Sequence, residues 1–333
     1  MSSLPITFSP QYTHRPLAGA SHLVDYDRLY RLGLFRKSPL AMADFAHVDH
    51  DATDWPAWGT LGLDVFLLQS WDSGTSSSEN EQRAQLVRKY VASGRLKRQS
   101  YMQKAATNPP QPSEAQVSQI LQPLRSPALR HVADKLMRGN EIWLRTDYQS
   151  DDAHRDICEQ LEDVDAGENL AEDVLILSDA RYYDFGSAWQ RILDILPEVL
   201  DIQQDVPESA QNPGTYRNGD FRRRLEREYM ASESDEVMAK AVLAKQQDCC
   251  EVRLLFIEDH ETHAADGKRM HAVWLDDFGD VVRENRVTLQ EACDYLSIVG
   301  EGMGGEDPIW VEGTVGPKYV RGAQFGPPFE TSE

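Results

Sequence analysis

In EIWLRTDYQSDDAH, residues 141–154, a tight apolar run gives way to Arg145-Thr146-Asp147 and then to a polar segment led by acids. Ile142, Trp143 and Leu144 read as a short buried strand. Ser150 suits a helix N-cap, and Asp151 and Asp152 fall in the first turn, where the helix dipole favours negative charge. Ala153, Ile157, Cys158 and Leu161 then recur at helical spacing and predict a buried stripe. A strand feeding a helix is the rhythm of an α/β fold.

That rhythm continues downstream. DVLILSD (173–179) and VRLLFIED (252–259) are near-continuous apolar runs, as expected of strands covered on both faces. Between them, Phe185, Ala188, Trp189, Ile192, Leu196 and Val199 predict a helix. HAVWLDD (271–277) runs through the turn DDFGD into the alternating VVRENRV, which predicts a hairpin. Thr288 and Glu291 form a capping box ahead of a helix that turns Leu289, Ala292, Cys293, Leu296 and Val299 inward. The expectation for residues 140–312 is an α/β (α+β) domain with a small mixed sheet of about five strands flanked by helices. Residues 201–247 read as a helical insertion, and 313–333 as a Gly/Pro-rich tail.

Upstream, residues 1–139 predict a mainly helical domain. VDYDRLYRLGLF (24–35), the aromatic-rich 55–71 and EQRAQLVRKYVASG supply its apolar positions. Pro109, Pro110 and Pro112 stop one element, and Ser113 with Gln116 caps the next. Pro123 interrupts that helix, and PALRHVADKLMRGN resumes to a stop at Gly139.

The chain's 333 residues carry a net charge of −21, unevenly spread. Residues 1–140 hold 16 Lys+Arg and 12 Asp+Glu, against 18 and 43 in residues 141–333, so the halves stand at +4 and −25. An acidic half repels phosphate backbones, which argues against nucleic acid and suits a basic protein surface as partner. The basic runs Arg95-Leu96-Lys97-Arg98 and Arg222-Arg223-Arg224 read as solvated helix faces or internal partners for the acids. No run reaches the ~18 apolar residues of a membrane span. The opening MSSLPITFSPQYTHRPLAG lacks the apolar centre of a secretory signal, so a cytoplasmic location is expected. Cys158, Cys249, Cys250 and Cys293 show no C-x-x-C spacing, which fits a reducing compartment.

WLRTDYQSDDAHRDICEQL, FIED, AVWLDD and LQEACDYLSIVG together resemble a family of small α/β proteins, a domain of unknown function common in actinobacteria. The resemblance runs from about Glu141 to Glu306 and is closest at Arg145-Thr146-Asp147-Tyr148 and Leu296-Ser297-Ile298. The chain departs from the family in its insertion at 201–247, in its long N-terminal region, and at Gly300-Glu301-Gly302. The resemblance implies a fold and leaves the activity open.

Asp147, Asp179, Asp259 and Asp276 each follow an expected strand, and parallel strands gather such acids at one rim. Asp147, Asp179 and Asp276, with Arg145 on an anionic substrate, are therefore the catalytic candidates, and Mg²⁺ the possible cofactor. Asp also suits strand-to-helix turns without any chemistry, and Arg145 can serve simply as the ion-pair partner of an acid such as Asp179. The segment EDHETHAADGKRMH (258–271) places His260, His263 and His271 beside Glu258, Asp259 and Glu261. Together with Asp147 and Asp179 from the other strand ends, its Asp259, His260 and His263 are the metal candidates, although a solvated loop is the simpler account of the segment. HVDHD (47–51) has the end of a metallohydrolase motif, with Phe45 in place of its first His. No complete catalytic motif is present, neither a nucleophile elbow nor a phosphate loop. The expectation for function is a non-enzymatic interaction or regulatory module, with a divalent-metal-dependent enzyme as the alternative and a ligand-binding module without turnover as the third.

Overall fold

Among the described residues, seven strands join one mixed sheet in the order β1-β3-β2-β4-β5-β6-β7 in the computed structural model of the chain. They are β1 (Ala46–His47), β2 (Glu141–Arg145), β3 (Val174–Leu177), β4 (Glu251–Glu258), β5 (Met270–Asp276), β6 (Val281–Val287) and β7 (Thr314–Val315). The structure describes residues 46–137, 141–164, 174–201, 251–264, 268–300, 307–320 and 322–324, with Arg227, Ala244 and Gln247. The expected helix at 24–35, the stop at Gly139, Arg222-Arg223-Arg224, Cys249-Cys250 and most of the insertion and tail lie outside those residues. So do the side chains of Leu161, Leu296 and Val299.

The α/β class holds, with more strands than the five expected. The two additional ones, β1 and β7, are two-residue pairings at the edges, too short to leave an apolar run in the sequence. β2 sits between β3 and β4 and is parallel to both: Trp143 lies opposite Ile176 on one side and Phe256 on the other. β5 and β6 then run antiparallel as the expected hairpin.

Side chains of a strand alternate between faces, so the parallel strands need cover on both. Ile142, Leu144, Leu175, Leu177, Leu255 and Ile257 face helix α4 (Pro127–Leu136), which presents Leu129, Val132, Ala133 and Leu136. Trp143, Ile176, Leu254, Phe256 and Trp274 face the other way. They meet Ile157 of α5 (Asp151–Val164), Leu289, Ala292 and Cys293 of α6 (Leu289–Gly300), and Trp310. Further out, α1 (Gly62–Ser70) and α2 (Glu79–Val91) enclose a smaller core of Leu63, Phe66, Leu67, Leu86, Val87 and Tyr90.

Two expectations are corrected. A separate domain ending at 139 is replaced by one compact unit over Ala43–Glu333, because α4 shares a hydrophobic cluster with the strands and is the cover of that sheet face. The single helix expected over 185–199 is broken into short turns, Ala180–Tyr183, Trp189–Ile195 and Pro197–Leu200. Gly186, at φ +55°, reverses the chain, and Pro197 has no N–H to continue a helix. Trp189, Ile192, Leu196 and Val199 are buried all the same. Of the two readings of the basic run 95–98, Arg98 takes the internal one: it is fully buried and paired with an acid.

Arg98, on α3 (Arg95–Thr107), donates from Nε to Asp201 at 2.6 Å and from its other nitrogens to the carbonyls of Val91, Leu200 and Asp277. Tyr90 Oη donates to the same carboxylate at 3.0 Å. Arg130 of α4 similarly meets Asp64 of α1 at 2.8 Å and the carbonyls of Pro56 and Ala57. Arg253 of β4 donates to the carbonyls of Val199 and Leu136. Buried guanidinium groups thus join the helical layer to the sheet where the backbone is irregular and its carbonyls lack ladder partners. Removing one partner of a buried pair leaves an uncompensated charge. Arg98→Met or Asp201→Leu should therefore each cost about 3–5 kcal/mol of unfolding free energy in urea titration, and the double variant should recover part of that loss.

Candidate functional site

The carboxyl ends of β2, β3 and β4 meet where the chain changes direction. From β2 it passes to β3 on one side, and from β4 to β5 on the other. Such a reversal opens a crevice outside the strand ends. Backbone bonds tie its walls together: Thr146 N–H donates to Glu258 O at 2.8 Å, and Gly186 N–H to Thr146 O at 3.0 Å. Helix α5 begins directly above, where Ser150 Oγ accepts from Ala153 N–H at 3.1 Å.

Glu258, the last residue of β4, is fully buried there and accepts from three side chains. Trp143 Nε1 donates to Oε2 at 3.0 Å, His154 Nδ1 to Oε2 at 2.7 Å, and His263 Nε2 to Oε1 at 2.8 Å. Burial alone would raise this carboxyl. The hydrogen bonds from His154 and His263, the charge of His154 and the Trp143 bond outweigh it and hold the group down at about 2. An ionised Glu258 accepts only, so both imidazole nitrogens that face it carry protons. With that proton on Nδ1, Nε2 is the nitrogen left to accept whenever the ring carries a single proton. It lies 3.3 Å from Ser178 Oγ, just past the end of β3, and 3.7 Å from Cys158 Sγ one turn along α5. Hydroxyl, imidazole and carboxylate thus stand in the order needed to activate an oxygen nucleophile.

The sequence candidates fall into separate places. Asp147 Oδ1 accepts from Gln149 N–H, and Oδ2 lies 3.3 Å from His263 Nδ1 and 3.9 Å from the exposed His260. The bond to Glu258 raises His263, burial opposes it, and the Glu258 and Asp147 charges add to the rise. Asp179 caps the helix Ala180–Tyr183, is clamped by Arg181, whose hydrogen bond lowers its carboxyl, and lies 3.9 Å from His50. His50, from HVDHD, bonds Tyr183 Oη at 2.8 Å, and burial depresses its imidazole. Asp259 caps the short helix His260–Ala264 through Thr262 and is held by Arg286. His271 bonds Glu284 at 3.0 Å.

Two candidate roles are corrected. β5 runs antiparallel to β4, so Asp276 lies at the opposite end of the sheet, opposite Glu251. There its carboxylate accepts from Phe278 and Asp280 N–H and from Tyr319 Oη, organising the β5–β6 turn. Gly279 sits in that turn at φ +75°, where a Cβ would come within 2.6 Å of Leu193. Arg145 is not free for an anion: it is the ion-pair partner of an acid, as the alternative had it, with Asp151 in place of Asp179. It donates to the carbonyls of Asp147 and Ser150 and to Asp151 at 2.8 Å, and its guanidinium lies 4.4 Å from the Tyr148 ring centre. Among the described residues no three His, Cys, Asp or Glu side chains are placed to hold a metal ion. A groove of about 660 Å³ lined by Arg88, Val91, Arg191, Leu193, Phe278 and Lys318 opens beside that turn, away from the parallel strand tips that hold Glu258, His154 and His263. No described helix is long and apolar enough to cross a membrane.

Ser178, His154 and Glu258 were not singled out as a set by the sequence reading. The signal was one of parity. Glu258 shares a strand face with Phe256, and His154 falls on the buried stripe of α5 with Ile157 and Cys158, so two polar residues occupy positions that should be apolar. No family model, curated protein or solved structure matches the chain.

A carboxyl held below its unfolded value contributes stability above that value and loses it as the pH falls through the folded one. Glu258 should therefore make the fold weaken between pH 4.5 and about 2. Tryptophan fluorescence during acid titration should show this loss in the wild type. In Glu258→Gln it should be smaller, on a protein already less stable at pH 7.

Proposed function

We propose that the chain is an acyl-transfer enzyme, a hydrolase where water is the acceptor, with Ser178 as nucleophile, His154 as general base and then acid, and Glu258 as the group that orients and charge-balances His154. The observation that carries this reading is the pair of contacts on one imidazole: 2.7 Å from Nδ1 to Glu258 and 3.3 Å from Nε2 to Ser178. Ser178 Oγ attacks the carbonyl carbon of an ester or amide while its proton passes to His154 Nε2. Collapse of the tetrahedral adduct breaks the bond to the leaving group, which takes that proton, and Ser178 is left acylated. Water then repeats the sequence: it gives a proton to Nε2, attacks the acyl carbon, and releases the acid as the proton returns to Oγ. The half-buried position of Ser178 at the carboxyl end of a parallel strand, where α/β sheets receive their ligands, supports the assignment. Kinship of residues 141–306 with the actinobacterial family belongs to this proposal as a source of the fold only.

A fluorophosphonate probe should label the wild type on Ser178 and fail on Ser178→Ala. His154→Ala should slow labelling by about 10²- to 10⁴-fold, the usual contribution of a general base. Cys158→Ala, which removes the thiol that shares Nε2, should still label. Absence of labelling, or labelling that survives Ser178→Ala, sinks the assignment.

A second reading rests on the −25 charge of residues 141–333: docking of a basic protein on this acidic half. Pull-downs at low salt should then recover a basic partner that moderate salt releases, since exposed charges are screened within about 8 Å at physiological ionic strength. An empty pull-down at both salts counts against it.

A further inference from the structure

We infer that His263 is a second positioning residue of this site: by bonding the Glu258 oxygen that His154 does not use, it fixes the plane of the carboxylate and so the aim of His154 at Ser178. The inference rests on the proposed acyl-transfer reading for its catalytic consequence, and on geometry alone for the sharing of Glu258.

A carboxylate at the end of a strand can rotate about its terminal bond, and only one rotation presents Oε2 to both Trp143 and His154. Those two donors sit on the same oxygen, at 3.0 and 2.7 Å, so a small swing of the carboxylate about that bond is resisted at one oxygen only. His263 closes that freedom with a bond of 2.8 Å to Oε1. Its own ring is fixed from several sides. It follows Glu258 by five residues in the short helix His260–Ala264, which is tied back by Thr262 and Asp259 bonding each other. Its Nδ1, buried without a hydrogen-bond partner, points toward Asp147 Oδ2 at 3.3 Å. Arg145 is the nearby cation, with Nε 4.0 Å from Glu258 Oε1, and Arg286 is engaged by Asp259 and Glu261 on the far side of the same helix. The resulting line runs Asp147, His263, Glu258, His154, Ser178, alternating acid and imidazole up to the hydroxyl. A histidine whose only service was to neutralise Glu258 could bond either oxygen; His263 takes the one that the catalytic imidazole leaves vacant.

Two readouts test the proposal independently. The first is the rate of fluorophosphonate labelling. His263→Leu removes the donor to Oε1 and should slow labelling by about 10- to 100-fold, the scale on which small misplacements of a reacting group act. His263→Gln can still donate an amide N–H to Oε1 and should stay within about threefold of wild type, against that 10- to 100-fold loss. The second is the downfield proton NMR signal of His154 Nδ1–H, identified by its loss in His154→Ala. It should shift in His263→Leu, where Glu258 serves fewer donors, and return toward its place in His263→Gln. Should the Leu variant fail to fold, His263→Asn, too short to reach Oε1, takes its place. A His154 signal indifferent to all three substitutions overturns the shared carboxylate, and labelling equally fast in Leu and Gln variants overturns the positioning role. If no variant or wild type is labelled while the signal moves as stated, the shared carboxylate stands and the acyl-transfer reading is what fails.

Discussion

Charge inside this protein has to be answered by the backbone, and that requirement organises the fold. A guanidinium withdrawn from water needs an acceptor for each of its N–H groups, and irregular segments supply carbonyls that no ladder uses. Arg98, Arg130 and Arg253 each take two or more such carbonyls, and Arg98 and Arg130 add a carboxylate. Helix α3 is thereby fastened to the turn after Pro197 and to the β5–β6 hairpin, α4 to α1, and β4 to α4, where hydrophobic contact alone would leave the layers free to slide. The apolar clusters set what is inside, and the arginines set the register of one layer on the next.

The same rule, inverted, marks the parallel strand tips. There the buried group is a carboxylate, Glu258, and what answers it are an indole N–H and two imidazoles that can themselves change protonation state. An acid met by arginine is locked; an acid met by two imidazoles keeps a path for protons open. This separates Glu258 from Asp259, Asp179 and Asp201, which are all held by guanidinium groups. It also explains why the acids that the sequence places at strand ends do not act together. Asp179 and Asp259 spend their oxygens on helix caps and arginines, and Asp276 belongs to the turn at the other end because its strand runs the opposite way.

How far the sequence could be read follows from the range of each interaction. The five longer strands and both expected capping boxes, Ser113 with Gln116 and Thr288 with Glu291, are written in spacings of two to four residues. Edge pairings such as Ala46 with Leu175 span more than a hundred residues and leave no local pattern. Strand direction is likewise a long-range property, and it misplaced Asp276. The site illustrates the middle case. Arg145 and Asp147 were visible because they sit beside an obvious strand, yet His154, Ser178 and Glu258 come from three elements that only tertiary folding brings together. Their trace was polarity at apolar positions, which a reading tuned to complete motifs passes over.

Arg98 reaches a carboxylate 103 residues later in the chain and a carbonyl 179 residues later. During synthesis, therefore, α3 is complete long before Asp201 and Asp277 leave the ribosome, and of the acceptors of its guanidinium only the Val91 carbonyl is there to meet it. The helical layer is consequently obliged to wait, loosely assembled, for the hairpin to emerge. Its final closure is governed by the slow search over a long loop rather than by how quickly its own helices form.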